Sequence, residues 1–319
     1  MKIKDIKTVF MGTSFFSKEV LRHLVQEGLN IELVITQTAK PAGRKKQLKP
    51  TTVKNFADSK NLKTMELDSI KDEDLGKIKN LKPDLIIVCS FGIIVPEKIL
   101  ELPKLGCVNI HPSLLPGLRG PSPIQTALWQ NLSKTGVSFM QMTSKVDAGP
   151  VYYQEEQKID QDDIYPVLEK KLIDLASRRF VQKTEEYINR ELKAKEQDEE
   201  KVTLTRLITK SDGKVIWSCD AEEIFNKYRA FYGWPSIYCY WQKGQFSKKI
   251  IFWEIFYKEE NKSKNKEPGE VYKDDDGKVC IQTGKGAVCP LEIQIEGKKS
   301  MNIQNFLNGY PDFVGSRLK

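Results

Sequence analysis

Histidine is almost absent from this chain, which has only two, His23 and His111, among its 319 residues. Cysteine is also sparse, and its six residues are scattered without any C-x-x-C pair. This spacing supports neither a zinc site nor a disulfide framework, so we expect reduced, mostly buried cysteines and no bound metal. Because histidine is the side chain that titrates nearest to neutral pH, the two histidines are the first candidates for chemistry.

Long apolar runs are absent as well. No stretch approaches the ~20 apolar residues that a membrane-spanning helix needs. Apolar residues still make up 39% of the chain, which is enough for buried cores. The segment from Met1 to Lys7 has neither an apolar signal core nor an Arg- and Ser-rich presequence. We therefore expect a cytoplasmic protein that has no membrane partner.

Two common enzyme motifs are missing. The first predicted strand is followed by Gly12-Thr13-Ser14 and not by G-x-G-x-x-G, which weakens any dehydrogenase interpretation. No G-x-S-x-G elbow surrounds Ser113, which argues against a serine nucleophile. Gly117-Leu118-Arg119-Gly120 matches the GXXG of RNA-binding KH domains, but two fixed residues in four are a weak signal.

Hydrophobic periodicity divides the chain into an α/β half and a β-rich half. Apolar strands alternate with helices in the first half, which predicts a doubly wound, largely parallel sheet. After Leu207, short β-prone runs separated by turns predict a small antiparallel barrel or sandwich. We predict domains at 1–192 and 207–319, joined by a charged linker at 193–206. The predicted strands of the first half are Thr8–Gly12, Ile31–Thr36, Asp84–Cys89, Gly106–Ile110 and Gly136–Met142, and the predicted helices run from Ser14 or Ser17 to about Glu27 and from Ile164 to about Leu192.

The segment Asn109 to Pro116 carries the main chemical signal. Side chains alternate along a strand, so Asn109 and His111 point to the same face at a strand's end. Ligands of doubly wound sheets bind beyond the carboxyl ends of the strands. An amide donor and an imidazole that converge there can stabilise charge on a carbonyl oxygen. Asp147, in a turn-rich loop, offers a carboxylate for the imidazole. The residues alone indicate acyl-type chemistry, with a structural role for His111 as the alternative.

A basic loop lies between Gln37 and Ala57, with six basic residues and no acidic one. Its prolines and Gly43 indicate an ordered loop and not a helix face. A solvated lysine-rich loop is the simplest explanation. The formal net charge of +8 suits an anionic partner without identifying one.

Several motifs together resemble the signature of the formyltetrahydrofolate-dependent formyltransferases. They are Asn109 to Pro116, Arg119-Gly120, Pro123-Ile124-Gln125, Thr135-Gly136-Val137 and Asp147-Ala148-Gly149-Pro150. A second set is similar to the members that act on aminoacylated tRNA: Gly12-Thr13 with Phe16, Pro41-Ala42-Gly43-Arg44, Trp217, Arg229-Ala230-Phe231 and Trp234-Pro235. The resemblance runs from about residue 7 to the C-terminus. It departs from the usual residues at Thr38-Ala39, Phe91 and Pro121-Ser122.

The resemblance implies a Rossmann-like formyltransferase domain and a C-terminal OB-like barrel that assists tRNA binding. The implied reaction moves a formyl group from 10-formyltetrahydrofolate to the α-amine of methionine esterified to initiator tRNA, without a metal. Asn109 and His111 then stabilise the oxyanion, and Asp147 orients His111 and helps to pass the amine proton to the leaving folate nitrogen. The implied folate-binding residues are Ser113, Leu114, Leu115, Pro116, Phe91, Gly92, Ile93, Ile94 and Val95.

If the substrate is RNA, the basic loop is expected to bind it. Phosphate contacts by Lys and Arg then anchor the nucleic acid. We expect Arg44, Lys45, Lys46 and Lys49 to grip the acceptor end of the tRNA, and we expect a monomeric bacterial enzyme of translation initiation.

Two alternatives remain open. A formyltransferase acting on a small amine, such as an amino sugar or glycinamide ribotide, shares the site but has no need of the basic loop or of the Trp217 and Trp234-Pro235 region. A non-catalytic RNA-binding protein, in which His111 is structural, binds tRNA but shows no folate dependence.

Overall fold

The chain folds into two compact units. The structure, a computed structural model, describes residues 3–42, 47–259 and 266–319. The first unit comprises Met1–Pro123, Lys134–Lys158 and Glu169–Arg206, and the second comprises Ile124–Ser133, Ile159–Leu168 and Leu207–Lys319. Each unit therefore contains more than one stretch of sequence. The predicted limits at residues 192 and 207 stay a prediction.

A seven-stranded sheet forms the centre of the first unit. Along the chain up to residue 188 the elements are β1 (Thr8–Gly12), α1 (Phe15–Gln26), β2 (Ile31–Gln37), β3 (Lys40–Ala42), β4 (Gln47–Lys49), α2 (Thr52–Ser59), β5 (Thr64–Leu67), α3 (Asp72–Asn80), β6 (Leu85–Cys89), α4 (Glu97–Leu100), β7 (Cys107–His111), α5 (Pro123–Trp129), β8 (Lys134–Gln141), β9 (Val151–Lys158) and α6 (Tyr165–Ile188). The sheet order is β5-β2-β1-β6-β7-β8-β9. All pairs from β5 to β7 are parallel, and the β7–β8 and β8–β9 pairs are antiparallel. The predicted Rossmann-like, mainly parallel sheet is confirmed.

The strands at the centre of the sheet are buried along their whole length. Every residue of β1, β6 and β7 is buried, as expected for continuous apolar strands that are covered on both faces. On one side, α1 starts at Ser14, whose hydroxyl accepts a hydrogen bond from the Ser17 amide at 3.1 Å. Its stripe of Val20, Leu21 and Leu24 is buried. This packing fixes the positions of the strand ends.

Strand β7 positions the polar segment singled out above. Its neighbour β6 is parallel to it, and its other neighbour β8 is antiparallel, with His111 opposite Ser138. His111 is the last residue of β7 and so lies at the carboxyl end of the parallel strands. Strand direction switches from parallel to antiparallel between β7 and β8. Ligands of such sheets bind beyond the carboxyl ends of the parallel strands, which is where His111 lies.

An antiparallel sheet forms the second unit. After α7 (Ala221–Phe231), its elements are β10 (Ile237–Lys243), β11 (Phe246–Lys258), β12 (Val271–Lys273), β13 (Val279–Gln282), β14 (Ala287–Ile295), β15 (Met301–Asn302) and α8 (Ile303–Gly309). The order is β10-β11-β14-β13-β12, with β15 paired to β14.

The last residues of the chain close this sheet into a barrel. The amide of Lys319 donates to the Tyr240 carbonyl of β10 at 2.9 Å, and the Tyr240 amide donates to the Lys319 carbonyl at 2.8 Å. On the other side, the Val271 amide of β12 donates to the Ser316 carbonyl at 2.9 Å. A closed barrel leaves few unpaired strand edges. The predicted OB-like barrel is confirmed as a barrel-like antiparallel domain.

The expectation that the cysteines are all reduced is wrong for one pair. Cys280 and Cys289 form a disulfide, with their Cα atoms 4.1 Å apart. The pairing of Ile281 with Val288 in the β13–β14 hairpin places the two cysteines opposite each other. Sequence spacing alone did not reveal this, because the two cysteines are nine positions apart in the chain and only the hairpin register brings them together. The other four cysteines are free thiols.

Within residues 3–42, 47–259 and 266–319, no helix is both long and apolar enough to cross a membrane.

Candidate active site

Three side chains singled out in the sequence meet at the carboxyl end of β7. The Asn109 Nδ2 donates to Asp147 Oδ1 at 3.3 Å, and His111 Nδ1 lies 3.7 Å from Asp147 Oδ2. His111 is 4% exposed and Asn109 is 9% exposed, so both are withdrawn from bulk water. The period-two prediction for Asn109 and His111 agrees with this geometry, and the structure adds the closeness of Asp147.

The ring of His111 has a defined orientation. Its Nε2 lies 3.0 Å from the Leu118 carbonyl oxygen, and a carbonyl only accepts hydrogen bonds. Nε2 therefore carries the hydrogen and donates to Leu118. In the neutral ring, Nδ1 then has the lone pair and faces the Asp147 carboxylate. This nitrogen can accept a proton, and the carboxylate beside it stabilises the imidazolium that results.

Asp147 is held from both its carboxylate and its backbone. The Gly120 amide donates to Oδ2 at 2.8 Å, and the Gln197 side-chain amide donates to the Asp147 carbonyl at 2.9 Å. The same Gln197 nitrogen donates to the Gly149 carbonyl at 2.7 Å. Asp147 has a φ of 49°, in the left-handed region that non-glycine residues seldom adopt. These contacts stabilise a strained loop that aims the carboxylate at His111.

The turn after His111 is held by its own hydrogen bonds. The Ser113 hydroxyl donates to the Gly117 carbonyl at 2.6 Å, and the Gly117 amide donates to Leu114 at 3.0 Å. Ser138 on β8 donates to the Ser113 carbonyl at 2.6 Å and accepts from the Leu115 amide at 3.1 Å. Because the Ser113 hydroxyl is engaged by a carbonyl, it is not presented as a nucleophile. Leu114 and Pro116 are half-buried, and Leu115 is buried.

The segment from Phe91 to Val95 follows β6 and divides its side chains between core and surface. Phe91 and Val95 belong to the apolar core of the first unit, whereas Ile94 is 86% exposed. Ile93 is half-buried, and Gly92 is exposed with a φ of 74°. The Phe91 carbonyl accepts from Thr13 Oγ1 at 2.7 Å and from Gln37 Nε2 at 3.1 Å. Gly92 and Ile94 are therefore the exposed residues of this segment, whereas the ring of Phe91 and the side chain of Val95 are buried.

Of the four residues predicted to grip tRNA, only Lys49 falls within the described residues. It is exposed on β4, which pairs with β3 in a hairpin. At the base of this hairpin, Lys40 donates to Gln37 Oε1 at 2.5 Å. Arg44, Lys45 and Lys46 lie outside the described residues.

Sequence reasoning missed the contribution of residues 197–205, here called the strap, which the charge pattern placed in a linker. Gln197 and Glu199 bind Arg119, and Thr203 and Thr205 bind the backbone from Leu118 to Ser122. No sequence signal pointed to them, since the Lys- and Glu-rich run around them is typical of exposed linkers. The partners lie about 80 residues apart in the chain.

The chemistry open to this cluster is proton transfer and stabilisation of negative charge. Burial raises the pKa of the Cys89 and Cys107 thiols to about 12, so these cysteines on β6 and β7 stay protonated and are not nucleophiles. Among the described residues, no group of three His, Cys, Asp or Glu side chains is arranged to hold a metal ion. The donor of Asn109, the proton acceptor of His111 and the carboxylate of Asp147 suit addition to a carbonyl group.

Comparison with known proteins identifies relatives over the full chain. Residues 6–184 match the family described as Formyl transferase, and residues 207–311 match Formyl transferase, C-terminal domain. The methionyl-tRNA formyltransferase of Thermotoga neapolitana is 39% identical over 95% of both chains. That of Bacillus cytotoxicus is 36% identical over 98% of both chains.

Solved structures share the fold at lower identity. HypX from Aquifex aeolicus, in complex with tetrahydrofolic acid, superposes with a TM-score of 0.64 at 19% identity, covering 97% of this chain and 48% of that one. The present chain thus spans about half of that protein. An N-formyltransferase from Helicobacter canadensis, in complex with folinic acid and dTDP-3-aminofucose, gives a TM-score of 0.65 at 16% identity, covering 89% of this chain and 98% of that one. With both of its domains matched and its identity to full-length relatives well above 30%, the chain belongs to the formyl transferase family.

Proposed function

We propose that this chain is a methionyl-tRNA formyltransferase, which transfers a formyl group from 10-formyltetrahydrofolate to the α-amine of initiator methionyl-tRNA. The observation that carries the proposal is the convergence of Asn109, His111 and Asp147 at the end of β7. It is supported by 39% identity over 95% of the chain to a protein of that name.

The oxygen of the formyl group gains negative charge when the amine nitrogen bonds to the formyl carbon. Asn109 uses one N–H for Asp147 Oδ1 and has a second N–H to donate to that oxygen. The contact to Asp147 fixes the plane of the amide, so the second N–H is oriented before the reaction begins. A preorganised donor of this kind contributes about 10²–10³-fold to the rate.

The attacking amine becomes positively charged and must lose a proton. His111 Nδ1 accepts it, because its other nitrogen is held as a donor to the Leu118 carbonyl. Asp147 stabilises the imidazolium, and the ring then returns the proton to the departing folate nitrogen as the bond between carbon and that nitrogen breaks. The proton and electron pairs balance without any metal or redox partner.

The residues around the cluster fit both substrates. The exposed Ile94 and the backbone near Gly92 offer an apolar and a polar edge to the folate, and the turn at residues 113–117 is held by its own hydrogen bonds. The exposed Lys49 on β4 faces the anionic tRNA backbone. The enzyme acts as a monomer in the cytoplasm of a bacterium.

The test is a formylation assay with purified protein, 10-formyltetrahydrofolate and charged tRNA. Initiator methionyl-tRNA is compared with elongator methionyl-tRNA and with a nucleotide-linked amino sugar, and formylated product is measured by mass spectrometry. We expect folate-dependent formylation of the initiator tRNA. Formylation of the amino sugar alone contradicts the proposal in favour of a small-amine enzyme, and tRNA binding without any formyl transfer contradicts an enzymatic function.

A further inference from the structure

The strap, residues 197–205, is hydrogen-bonded to the loop at residues 118–122, whose backbone contacts His111 and Asp147. The Leu118 amide donates to Thr203 Oγ1 at 2.8 Å, and the Arg119 amide donates to the Thr203 carbonyl at 2.9 Å. The Thr205 amide returns a hydrogen bond to the Arg119 carbonyl at 2.7 Å. These are strand-like pairings, so the strap fixes the backbone whose Leu118 carbonyl accepts the His111 Nε2 hydrogen.

Gln197 fixes the backbone of Asp147, the second residue that faces the His111 ring. Its Nε2 donates to the carbonyls of Asp147 and Gly149, at 2.9 and 2.7 Å. Its Oε1 accepts from Arg119 Nε at 3.0 Å. Since Arg119 only donates, the Gln197 amide has one orientation, with the nitrogen towards Asp147.

Arg119 holds this arrangement together. Its side chain is buried, with the residue 6% exposed, and its terminal nitrogens donate to Glu199 at 2.8 and 3.3 Å. Three of its N–H groups are therefore used by Gln197 and Glu199, both on the strap. A buried guanidinium paired in this fork geometry has little freedom to move. Because Arg119 also donates to Gln197, it restrains the Gln197 amide.

We propose that Gln197 is a positioning residue for the reaction. It holds the left-handed Asp147 backbone and thereby sets the separation between the carboxylate and His111 Nδ1. The inference rests on the proposed function for its kinetic consequence, but its structural consequence is independent of the substrate. Gln197 contacts the backbone of Asp147, so its loss moves the carboxylate together with the Asn109 amide that donates to it.

The sharpest variant is Gln197→Glu, which keeps the size and the acceptor for Arg119 but removes both N–H donors. An oxygen then faces the two carbonyls and repels the loop. We expect kcat to fall by roughly 10- to 100-fold, the scale on which small misplacements of catalytic groups act. We expect KM for both substrates to stay close to the wild-type value. Glu196→Gln, an exposed neighbour with the reverse chemical change, is the matched control and should retain wild-type kcat.

A spectroscopic readout separates positioning from a loss of folding. The chain has two histidines, so its imidazole NMR signals comprise one set from His111 and one from His23 on α1. In Gln197→Glu we expect the His111 signals to move and those of His23 to stay, with the thermal unfolding midpoint near that of Glu196→Gln. Thr203→Val, which removes the acceptor for the Leu118 amide, should move the same His111 signals.

The outcomes are distinct for the two proposals. A wild-type protein that formylates no tRNA contradicts the proposed function, while movement of the His111 signals in Gln197→Glu still supports the strap. Unchanged His111 signals with unchanged kcat contradict the positioning role. A loss of activity that appears only in KM also contradicts it, because it indicates a binding role for Gln197.

Discussion

The reactivity of the site depends on how single atoms of His111 are paired. Its Nε2 donates to the Leu118 carbonyl at 3.0 Å, so Nδ1 is the nitrogen left to accept a proton in the proposed reaction. Asp147 lies 3.7 Å from Nδ1, close enough to stabilise a cationic ring and too far for a short hydrogen bond.

A substitution at Gly120 tests how tightly the Asp147 carboxylate is held. Its φ is 112°, and a Cβ atom there would meet Thr205 Oγ1 at 2.8 Å and the Thr205 carbonyl oxygen at 2.9 Å. Gly120→Ala should therefore displace the amide that donates to Asp147 Oδ2. We expect a loss of kcat of about 10-fold or more and a lower unfolding midpoint, measured by steady-state kinetics and calorimetry.

Gly28→Ala is the matched control for that change. Gly28 also has a positive φ, 82°, but a Cβ there meets no atom within 4 Å. It should cost about 1–2 kcal/mol of stability from backbone strain alone and leave kcat unchanged. Equal kcat in Gly120→Ala and wild type argues against a tightly held carboxylate.

The sequence predicted part of this site for a physical reason. Asn109 and His111 are two residues apart on one strand, and strand geometry fixes such neighbours on one face. The contact of Gln197 with Asp147 spans 50 residues and depends on how a loop folds back, which no local pattern encodes. The same holds for the Leu118 carbonyl, a backbone group that carries no sequence signal.

At the scale of elements, buried strands were easier to predict than polar ones. The runs that form β1, β6 and β7 are mostly apolar and buried along their whole length, and the structure has them at nearly the predicted limits. The edge strand β9 was missed because its residues are mostly polar and only half-buried. Helix α6 ends at Ile188, four residues before the predicted end at Leu192. The chain turns just after the helix, with Arg190 at a φ of 61°.

Helix α7 of the second unit is anchored by a buried arginine. Arg229 is 2% exposed and donates to the carbonyls of Asp160 and Asp163 and to the side chains of Asn131 and Asn226, at 2.7 to 3.1 Å. Burial lowers the pKa of Arg229. Arginine supplies enough donors in one plane for four acceptors in different directions.

Arg229→Lys should destabilise the protein, because lysine has three donors on one atom and leaves acceptors unsatisfied in the interior. We expect a loss of about 2–4 kcal/mol in the free energy of unfolding, measured by denaturant titration. Arg317→Lys, at a side chain that is 62% exposed, should cost nearly nothing. A similar stability for both variants contradicts the anchoring role.

At the scale of the whole molecule, the net charge of +8 is unevenly distributed along the chain. The basic loop from 37 to 57 holds six basic residues and no acidic one, whereas residues 207–319 hold 18 basic and 15 acidic residues. We therefore expect a polyanionic substrate to be drawn mainly to this basic loop, and we expect residues 207–319 to contribute position more than charge.

If the basic loop binds tRNA phosphates, the affinity for tRNA depends on salt concentration in a measurable way. Replacing Lys45 and Lys46 together with glutamine should reduce the slope of log affinity for tRNA against log salt by about 2, roughly 1 for each lost phosphate contact. Lys7→Gln with Lys63→Gln removes the same charge at the amino ends of the parallel strands, where both residues directly precede strands. An equal change in the two double variants means that net charge, and not the hairpin, governs binding.

We propose that Asn109, His111 and Asp147 together perform formyl transfer to initiator methionyl-tRNA. Single-turnover formylation, with enzyme in excess over charged tRNA and saturating 10-formyltetrahydrofolate, measures that step directly for wild type, Asn109→Ala, His111→Gln and Asp147→Asn. We predict rapid formylation by the wild type and rates lower by roughly 10²-fold or more in each variant, with tRNA affinity retained. A variant that formylates at nearly the wild-type rate contradicts the assignment of its residue, and near-wild-type rates in all three contradict the site.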